Sequence, residues 1–114
     1  MDSNNQAYEK AHQLAQTIVA TEAYEDYRTA KKQIEQKADL KDQIAQIRSL
    51  QMELDCARIS GHILPEGQVK TIKTQIEELE RDERVAFFFI AEARFIQFFN
   101  EIQGIIQRII EQNF

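Results

Sequence analysis

Residues 85–110 read VAFFFIAEARFIQFFNEIQGIIQRII, and this stretch decides the fold. Its first six residues, VAFFFI, are also compatible with a buried β-strand. However, apolar residues continue to recur every three or four positions as far as Ile110, so the length of the pattern favours an α-helix. The apolar face consists of a main seam and residues that widen it: Phe88, Phe95, Phe99, Ile102, Ile106 and Ile109, with Phe98, Ile105 and Ile110.

The remainder of the 114-residue chain carries the same helical pattern. Three Gly and one Pro are too few for the turns of a β-sandwich or barrel. The sequence therefore predicts an all-α fold, with a long antiparallel helical hairpin, short N-terminal helices and oligomerisation through the C-terminal helix. We expect a single helical domain over residues 1–114, with helices at about 4–20, 22–37, 39–60, 65–81 and 83–111.

The first helix boundaries are predicted from residues that can cap a helix. Ser3 and Gln6 have the spacing of a capping box, so Ser3 is expected to precede the first helix. Thr21 can cap the second helix with its hydroxyl group. Near Ala38 the apolar pattern changes phase, and two alternatives are open: Asp39 caps a new helix, or one helix continues with a kink.

The later boundaries follow from Gly61, Pro65 and Asp82. Gly61 suits the left-handed position after a helix, and Pro65 suits the first turn of the next one. A connection this short returns the chain beside itself. Asp82 either caps the last helix or lies in an exposed part of a continuous one.

The C-terminal helix has a wider apolar face than one neighbouring helix can cover. Soluble monomers rarely expose an apolar patch of more than a few hundred Å². We therefore predict a homodimer or larger assembly. The predicted oligomer interface consists of Phe88, Phe95, Phe98, Phe99, Ile102, Ile105, Ile106 and Ile109.

The charges favour a protein partner over nucleic acid. The net charge is −5, and the basic residues from Arg28 to Lys41 alternate with Glu35, Asp39 and Asp42. Such a mixed surface is typical of a solvated helix, so direct nucleic-acid binding is not expected. Five residues of the second helix are candidate partner contacts, although the stripe position of the two tyrosines also suits core packing: Tyr24, Tyr27, Arg28, Lys31 and Lys32.

Few residues could carry chemistry. The two histidines, His12 and His62, lie far apart in the sequence, and Cys56 is the single cysteine. No P-loop, H-E-x-x-H or C-x-x-C pattern occurs. The acidic residues from Glu77 to Glu83 are most simply a solvated face. We therefore predict no catalytic, cofactor-binding or metal-binding residues and no enzymatic activity.

Targeting signals are also not evident in the sequence. The longest apolar run, Val85 to Ala91, is too short to span a membrane, and no signal peptide is recognisable at the N-terminus. Together with the single cysteine, this predicts a cytoplasmic protein without a membrane role.

The order and spacing of several short motifs resemble the YlbF/YmcA family of small all-helical bacterial regulators. The resemblance extends over about residues 4–110. The residues that carry it are Thr21-Glu22-Ala23-Tyr24 with Tyr27 and Ala30, Leu40 to Leu54, the Gly61–Pro65 loop, Asp82-x-x-Val85, and Ala91-Glu92 with Phe95.

This resemblance implies a helical oligomer in the bacterial cytoplasm. Some members of the family form a complex with a further protein, YaaT, which promotes competence, sporulation and biofilm formation and is linked to mRNA processing by RNase Y. That complex is associated with an iron–sulfur cluster, with cysteines near the C-terminus among the expected ligands. This chain ends in Ile110-Glu111-Gln112-Asn113-Phe114 without cysteine, so no cofactor is expected unless partner chains supply the ligands.

The expected function is therefore that of a non-enzymatic regulatory or scaffold subunit. Its expected partners are a second copy of itself, paralogous YlbF/YmcA-like chains and a YaaT-like protein. The alternative is a helical oligomer of the same fold with another partner and pathway.

Overall fold

A computed structural model describes residues 2–114 of the chain. Within this range it contains five α-helices and no β-strand. The helices are α1 (Ser3–Val19), α2 (Glu22–Glu35), α3 (Ala38–Ser60), α4 (Glu66–Leu79) and α5 (Glu83–Gln112). The predicted all-α fold is confirmed.

The N-termini of α1 and α2 are capped by side chains. The predicted cap at Ser3 is wrong, because Asp2 precedes α1 and its Oδ1 accepts a hydrogen bond of 3.0 Å from the backbone N–H of Asn4. A carboxylate at this position also interacts favourably with the positive end of the helix dipole. At α2 the prediction is confirmed, since Thr21 Oγ1 accepts from the backbone N–H of Tyr24 at 3.3 Å.

Neither of the two alternatives near Ala38 describes the start of α3. The helix begins at Ala38, and Lys37 precedes it in an extended conformation with φ −131°. Asp39 therefore lies inside the first turn instead of capping the helix. In this position its carboxylate still lies near the positive end of the helix dipole.

The connection between α3 and α4 follows the expected backbone preferences. Gly61 ends α3 with φ 72°, in the left-handed region where a glycine has no steric penalty. Pro65 directly precedes α4 instead of lying in its first turn. The N–H of a residue at this position has no acceptor within the helix. The missing N–H of Pro65 therefore costs α4 no hydrogen bond.

A second break separates α4 from α5. Helix α4 ends at Leu79, so the alternative of one continuous helix is wrong. The other alternative is correct: Asp82 caps α5, because its Oδ1 accepts from the backbone N–H of Arg84 at 2.9 Å.

The helices are divided between two compact units. The first unit consists of the chain up to Thr29 together with Ile90–Phe114, and the second is Ala30–Phe89. In the second unit, α3 and α4 contact each other, and Gln68 Nε2 donates to Glu53 Oε1 at 3.3 Å. The buried apolar residues of this unit are Ala30, Ile34, Leu40, Ile44, Ile47, Ile72, Val85 and Phe88.

The first unit buries fewer aliphatic side chains. Only Ile18 and Ala91 are buried among its described residues. Its main packing feature is instead a cluster of aromatic rings around Phe95, which consists of half-buried rings and the exposed Phe99. The second half of α5 extends from this cluster as a helix with many exposed apolar side chains.

Candidate protein-interaction surface

The C-terminal half of α5 presents an exposed apolar surface, which we call the isoleucine face: Ile105, Ile106, Ile109 and Ile110. These four side chains are between 45% and 56% exposed. They recur at spacings of one, three and four residues, so they lie together on one side of the helix. An apolar group of this kind on a helix surface is typical of a protein-interaction site.

The residues predicted for the oligomer interface differ in their burial. Phe99, Ile105, Ile106 and Ile109 are exposed, and Phe95, Phe98 and Ile102 are half-buried. Phe88 is only 5% exposed and belongs to the core of the second unit. The guanidinium carbon of Arg48 lies 5.7 Å from the centre of its ring. Phe88 is therefore covered by its own chain and is not part of the exposed surface.

Four large exposed apolar residues of α5 lie outside the predicted interface: Phe87, Ile90, Ile96 and Ile110. Ile110 is 56% exposed and Ile96 is 50% exposed. Ile110 follows Ile106 by four residues, which places it on the isoleucine face. This four-residue spacing is the sequence signal for Ile110, because it adds the residue to the apolar seam. Ile96 lies away from that seam, so the seam pattern alone does not identify it.

The two candidate tyrosines of α2 face aromatic neighbours in the first unit. The Tyr27 ring stacks on the Phe95 ring with centres 5.4 Å apart and planes inclined by 15°. The Tyr24 ring meets Phe95 edge-on at 5.7 Å, and Phe95 stacks on Phe99 at 6.0 Å. Contacts of this geometry stabilise a cluster beyond the burial of apolar area. Both tyrosines are half-buried, which favours core packing over a role as exposed contacts.

The three candidate basic residues of α2 are exposed. Arg28, at the end of the first unit, places Nη1 3.5 Å from Glu25 Oε1. Lys31 and Lys32 lie at the start of the second unit. An exposed ion pair one turn apart contributes little to stability, so the charge of Arg28 can still influence the choice of partner.

The only clear electrostatic perturbation in the described residues is at the start of α5. The side chain of Arg84 donates to Asp82 through Nε at 3.1 Å and through Nη2 at 2.8 Å. These hydrogen bonds hold the pKa of Asp82 below its ordinary value of 3.8, and they raise the pKa of Arg84. The pair stabilises a helix end, and Asp82 belongs to no group of three or more His, Cys, Asp or Glu in residues 2–114 that could hold a metal ion.

The donor set of the chain does not fit an iron–sulfur cluster. Such a cluster takes about four thiolate ligands, whereas the chain has one cysteine, Cys56, which is exposed on α3. His12 and His62 are exposed on α1 and in the α3–α4 connection. Across residues 2–114, no three His, Cys, Asp or Glu side chains are grouped so as to hold a metal ion. None of the helices in this range is long and apolar enough to cross a membrane.

The sequence and fold of the chain are similar to those of known bacterial proteins. A UPF0342 protein of Staphylococcus epidermidis is 25% identical over 105 residues, covering 92% of each chain. A UPF0342 protein of Alkalihalophilus pseudofirmus is 26% identical over 105 residues, covering 92% of this chain and 89% of the relative. Both relatives therefore match this chain over nearly their whole length.

A solved structure supports the same fold. The match is to a chain in the crystal structure of Bacillus subtilis RicA in complex with RicF, with a TM-score of 0.59 and 21% sequence identity over 98% of both chains. The family model described as "Control of competence regulator ComK, YlbF/YmcA" matches residues 7–111. This match spans nearly the whole sequence, and the protein therefore belongs to the YlbF/YmcA family.

Proposed function

We propose that this protein is a non-enzymatic regulatory or scaffold subunit that acts through helix-mediated protein–protein interaction. The observation that carries the proposal is the exposed isoleucine face of α5, Ile105, Ile106, Ile109 and Ile110. Membership of the family supports the regulatory role. By resemblance to the family, the processes concerned are competence, sporulation, biofilm formation and RNase Y-linked mRNA processing in the cytoplasm.

The energetics of the isoleucine face favour association. Full burial of an isoleucine contributes about 1.5–3 kcal/mol, so covering a half-exposed one contributes about 1 kcal/mol. Four such side chains on one helix therefore offer roughly 4 kcal/mol before the cost of association. Glutamine or glutamate at these exposed positions would have preserved the helix equally well. The isoleucines contribute most when another chain covers them.

We propose a second copy of this chain as the first partner of the isoleucine face. In this arrangement α3 and α4 form the long antiparallel hairpin, α1 and α2 are the short N-terminal helices, and α5 mediates oligomerisation. Paralogous YlbF/YmcA-like chains and a YaaT-like protein are further partners by family resemblance. The neighbour of known structure, RicA, was solved in complex with RicF, which supports a protein partner for this fold.

The alternative function is a helical oligomer of the same fold that serves an unassigned partner and pathway. Both functions use the isoleucine face and differ in the second protein. A YaaT-like gene in the same genome, and co-purification of its product with this chain, would favour the regulatory complex.

The test is to place a charge on the isoleucine face. Ile109→Asp should convert the oligomer into a species of about 13 kDa in light scattering, because a carboxylate buried without a partner is costly. Its helix content, measured by circular dichroism, should be retained because Ile109 is 56% exposed within the chain. Asn100→Asp is the matched control, since it adds the same charge at an exposed polar position of α5.

Two results would contradict the proposal. The first is a wild-type protein that is purely monomeric at micromolar concentration. The second is turnover of a substrate by the purified protein that one polar substitution abolishes.

A further inference from the structure

The end of α3 and the start of α4 form a second apolar surface, located in the second unit. A groove of about 420 Å³ lies there, and we call it the end groove. Its apolar walls consist of Leu54 and Ala57 of α3, Leu64 of the connection and Val69 of α4. All four of these side chains are half-buried, so their exposed parts face the groove and the solvent.

Exposed isoleucines extend this surface beyond the groove. Ile63, which lines the groove, is 89% exposed, and Ile59, four residues before Ile63 in the sequence, is 80% exposed. Neither side chain contributes appreciable burial to the fold. Connections between helices normally carry polar residues, and the turn here is already determined by Gly61 with φ 72°. The apolar character of Ile59 and Ile63 is therefore not required by the packing of this chain.

The rim of the end groove is basic. It is lined by Arg58, His62 and Lys73 and by a single carboxylate, Asp55. Asp55 Oδ1 lies 3.5 Å from Arg58 Nη2. Lys73 and His62 have no ion-pair partner among residues 2–114. Arg58 lies in the last turn of α3, where it also complements the helix dipole. Lys73 is in the middle of α4, where the dipole gives no reason for a cation.

This basic rim contrasts with the other end of α4. Residues 77–83 read EELERDE, a strongly acidic stretch, and the whole chain has a net charge of −5. Arg58 and Lys73 against Asp55 give the groove lining a formal net charge of +1 with His62 neutral, in a molecule whose net charge is −5. Complementary potential steers binding and selects partners, so the end groove favours a ligand that carries negative charge.

We propose that the end groove binds an acidic amphipathic segment of a partner protein. Apolar side chains of the segment would occupy the walls formed by Leu54, Leu64 and Val69. Its carboxylates would lie over Arg58 and Lys73. This is the helix-in-groove mode of recognition, in which apolar anchors give affinity and flanking charges give selectivity.

A protein segment fits the end groove better than an RNA strand does. Single-stranded RNA is bound by aromatic side chains that stack on bases and by a continuous basic track. The lining of the end groove contains no Phe, Tyr or Trp ring, and its cations are separated by aliphatic side chains.

The proposal rests on the proposed function only in treating the chain as a protein-binding subunit. It concerns a different surface from the isoleucine face, since the end groove is formed by residues 54–73 of the second unit. The two can be tested separately, because substitutions in the end groove should leave the oligomeric state unchanged.

The experiment uses the full chain and two labelled helical peptides of about 16 residues. The first peptide has leucines at spacings of three and four with glutamates elsewhere, and the second has lysines in place of the glutamates. Fluorescence anisotropy should show binding of the acidic peptide only, weakening as salt is added. Lys73→Glu and Ile63→Asp should each weaken binding about tenfold or more.

Matched variants distinguish binding in the end groove from binding elsewhere on the chain. Lys70→Glu makes the same charge change three residues away, at an exposed position of α4 that does not line the groove, and should change the affinity much less. Ile109→Asp should disrupt self-association and leave peptide binding unchanged. Light scattering and circular dichroism of Lys73→Glu and Ile63→Asp should match the wild type.

Several outcomes would overturn the proposal. The first is that the acidic peptide does not bind at millimolar concentration. The second is that the basic peptide binds as tightly as the acidic one. The third is that Lys70→Glu and Lys73→Glu lower the affinity for the acidic peptide equally. Tight binding of a labelled uridine oligonucleotide that Lys73→Glu abolishes would assign the end groove to RNA instead. Loss of peptide binding in Ile109→Asp alone would assign the peptide to the isoleucine face.

Discussion

The first half of α3, in the second unit, and the second half of α5, in the first unit, use isoleucine in opposite ways. In the first half of α3, Ile44 and Ile47 are buried. In the first unit, isoleucines of α5 such as Ile109, 56% exposed, recur with the same helical period but remain at the surface. The comparison teaches that a 3.6-residue period identifies the apolar face of a helix, but not what covers that face.

The largest effect should come from shortening a buried side chain of the second unit. Ile47→Ala removes atoms from a site with 0% exposure and leaves a cavity, so the free energy of unfolding should fall by about 2–5 kcal/mol. Urea unfolding measures this change. The loss should be the same at low and high protein concentration, because the cavity lies inside one chain.

Ile109→Ala is the matched substitution at an exposed isoleucine of α5. In the separated monomer it should change the free energy of unfolding by only about 0.5 kcal/mol, as for most surface positions. In the oligomer the loss should grow with protein concentration, because the substitution weakens association. If Ile47→Ala and Ile109→Ala lower the free energy of unfolding equally, and neither loss depends on protein concentration, then α5 is covered within its own chain.

The predictable part of the fold is the part encoded by local signals. Thr21, Gly61 and Asp82 mark helix ends through their own hydrogen bonds or backbone angle, and the structure has each of them at the expected helix end. The predicted cap of α1 is wrong by one residue, because Asp2 and Ser3 are both good capping residues. Sequence alone cannot rank two adjacent caps whose energies differ by a few tenths of a kcal/mol.

The candidate site is less predictable because burial depends on tertiary contacts. Phe88 and Phe95 lie on the same seam of α5, yet Phe88 is 5% exposed in the second unit and Phe95 is half-buried in the first. The position of α3, including Arg48 over the Phe88 ring, contributes to this difference. A helical pattern carries no information about such a neighbour.

In the aromatic cluster of the first unit, we expect a substitution to destabilise the fold less than Ile47→Ala does. Phe95 contacts the rings of Tyr24, Tyr27 and Phe99 at centre distances of 5.4 to 6.0 Å. Replacing a fully buried phenylalanine with alanine costs about 3–5 kcal/mol. Because Phe95 is only half-buried, Phe95→Ala should lower the free energy of unfolding by less, about 2 kcal/mol. Thermal and urea unfolding give the value.

Phe87→Ala provides the control for the aromatic cluster. Phe87 is 40% exposed on the same helix, so its replacement should cost less than about 1 kcal/mol. Near-ultraviolet circular dichroism should change in Phe95→Ala, since the stacked Tyr27 loses its neighbour. If both variants lose the same stability and the tyrosine signal is unchanged, the cluster does not organise the first unit.

The smallest effect should come from the charge of Asp82. Unlike the isoleucines, this residue stabilises the start of α5 without burial of apolar area. Its carboxylate accepts from the backbone N–H and the guanidinium of Arg84 at 2.8 to 3.1 Å. These hydrogen bonds hold the pKa of Asp82 below its ordinary value of 3.8 in the folded chain. The stabilisation is therefore fully present above that value and is lost as the pH falls through the lower folded pKa.

The substitution that isolates this contribution is Asp82→Asn, which keeps an oxygen that can accept from the N–H of Arg84 but removes the charge. The wild type should be more stable than Asp82→Asn at neutral pH, and the difference in urea midpoint should shrink as the pH falls below about 4. In an Arg84→Gln background the charge of Asp82 loses its guanidinium partner, so most of this pH dependence should disappear. A stability difference that is constant from neutral to acidic pH would show that Asp82 acts only as an uncharged cap.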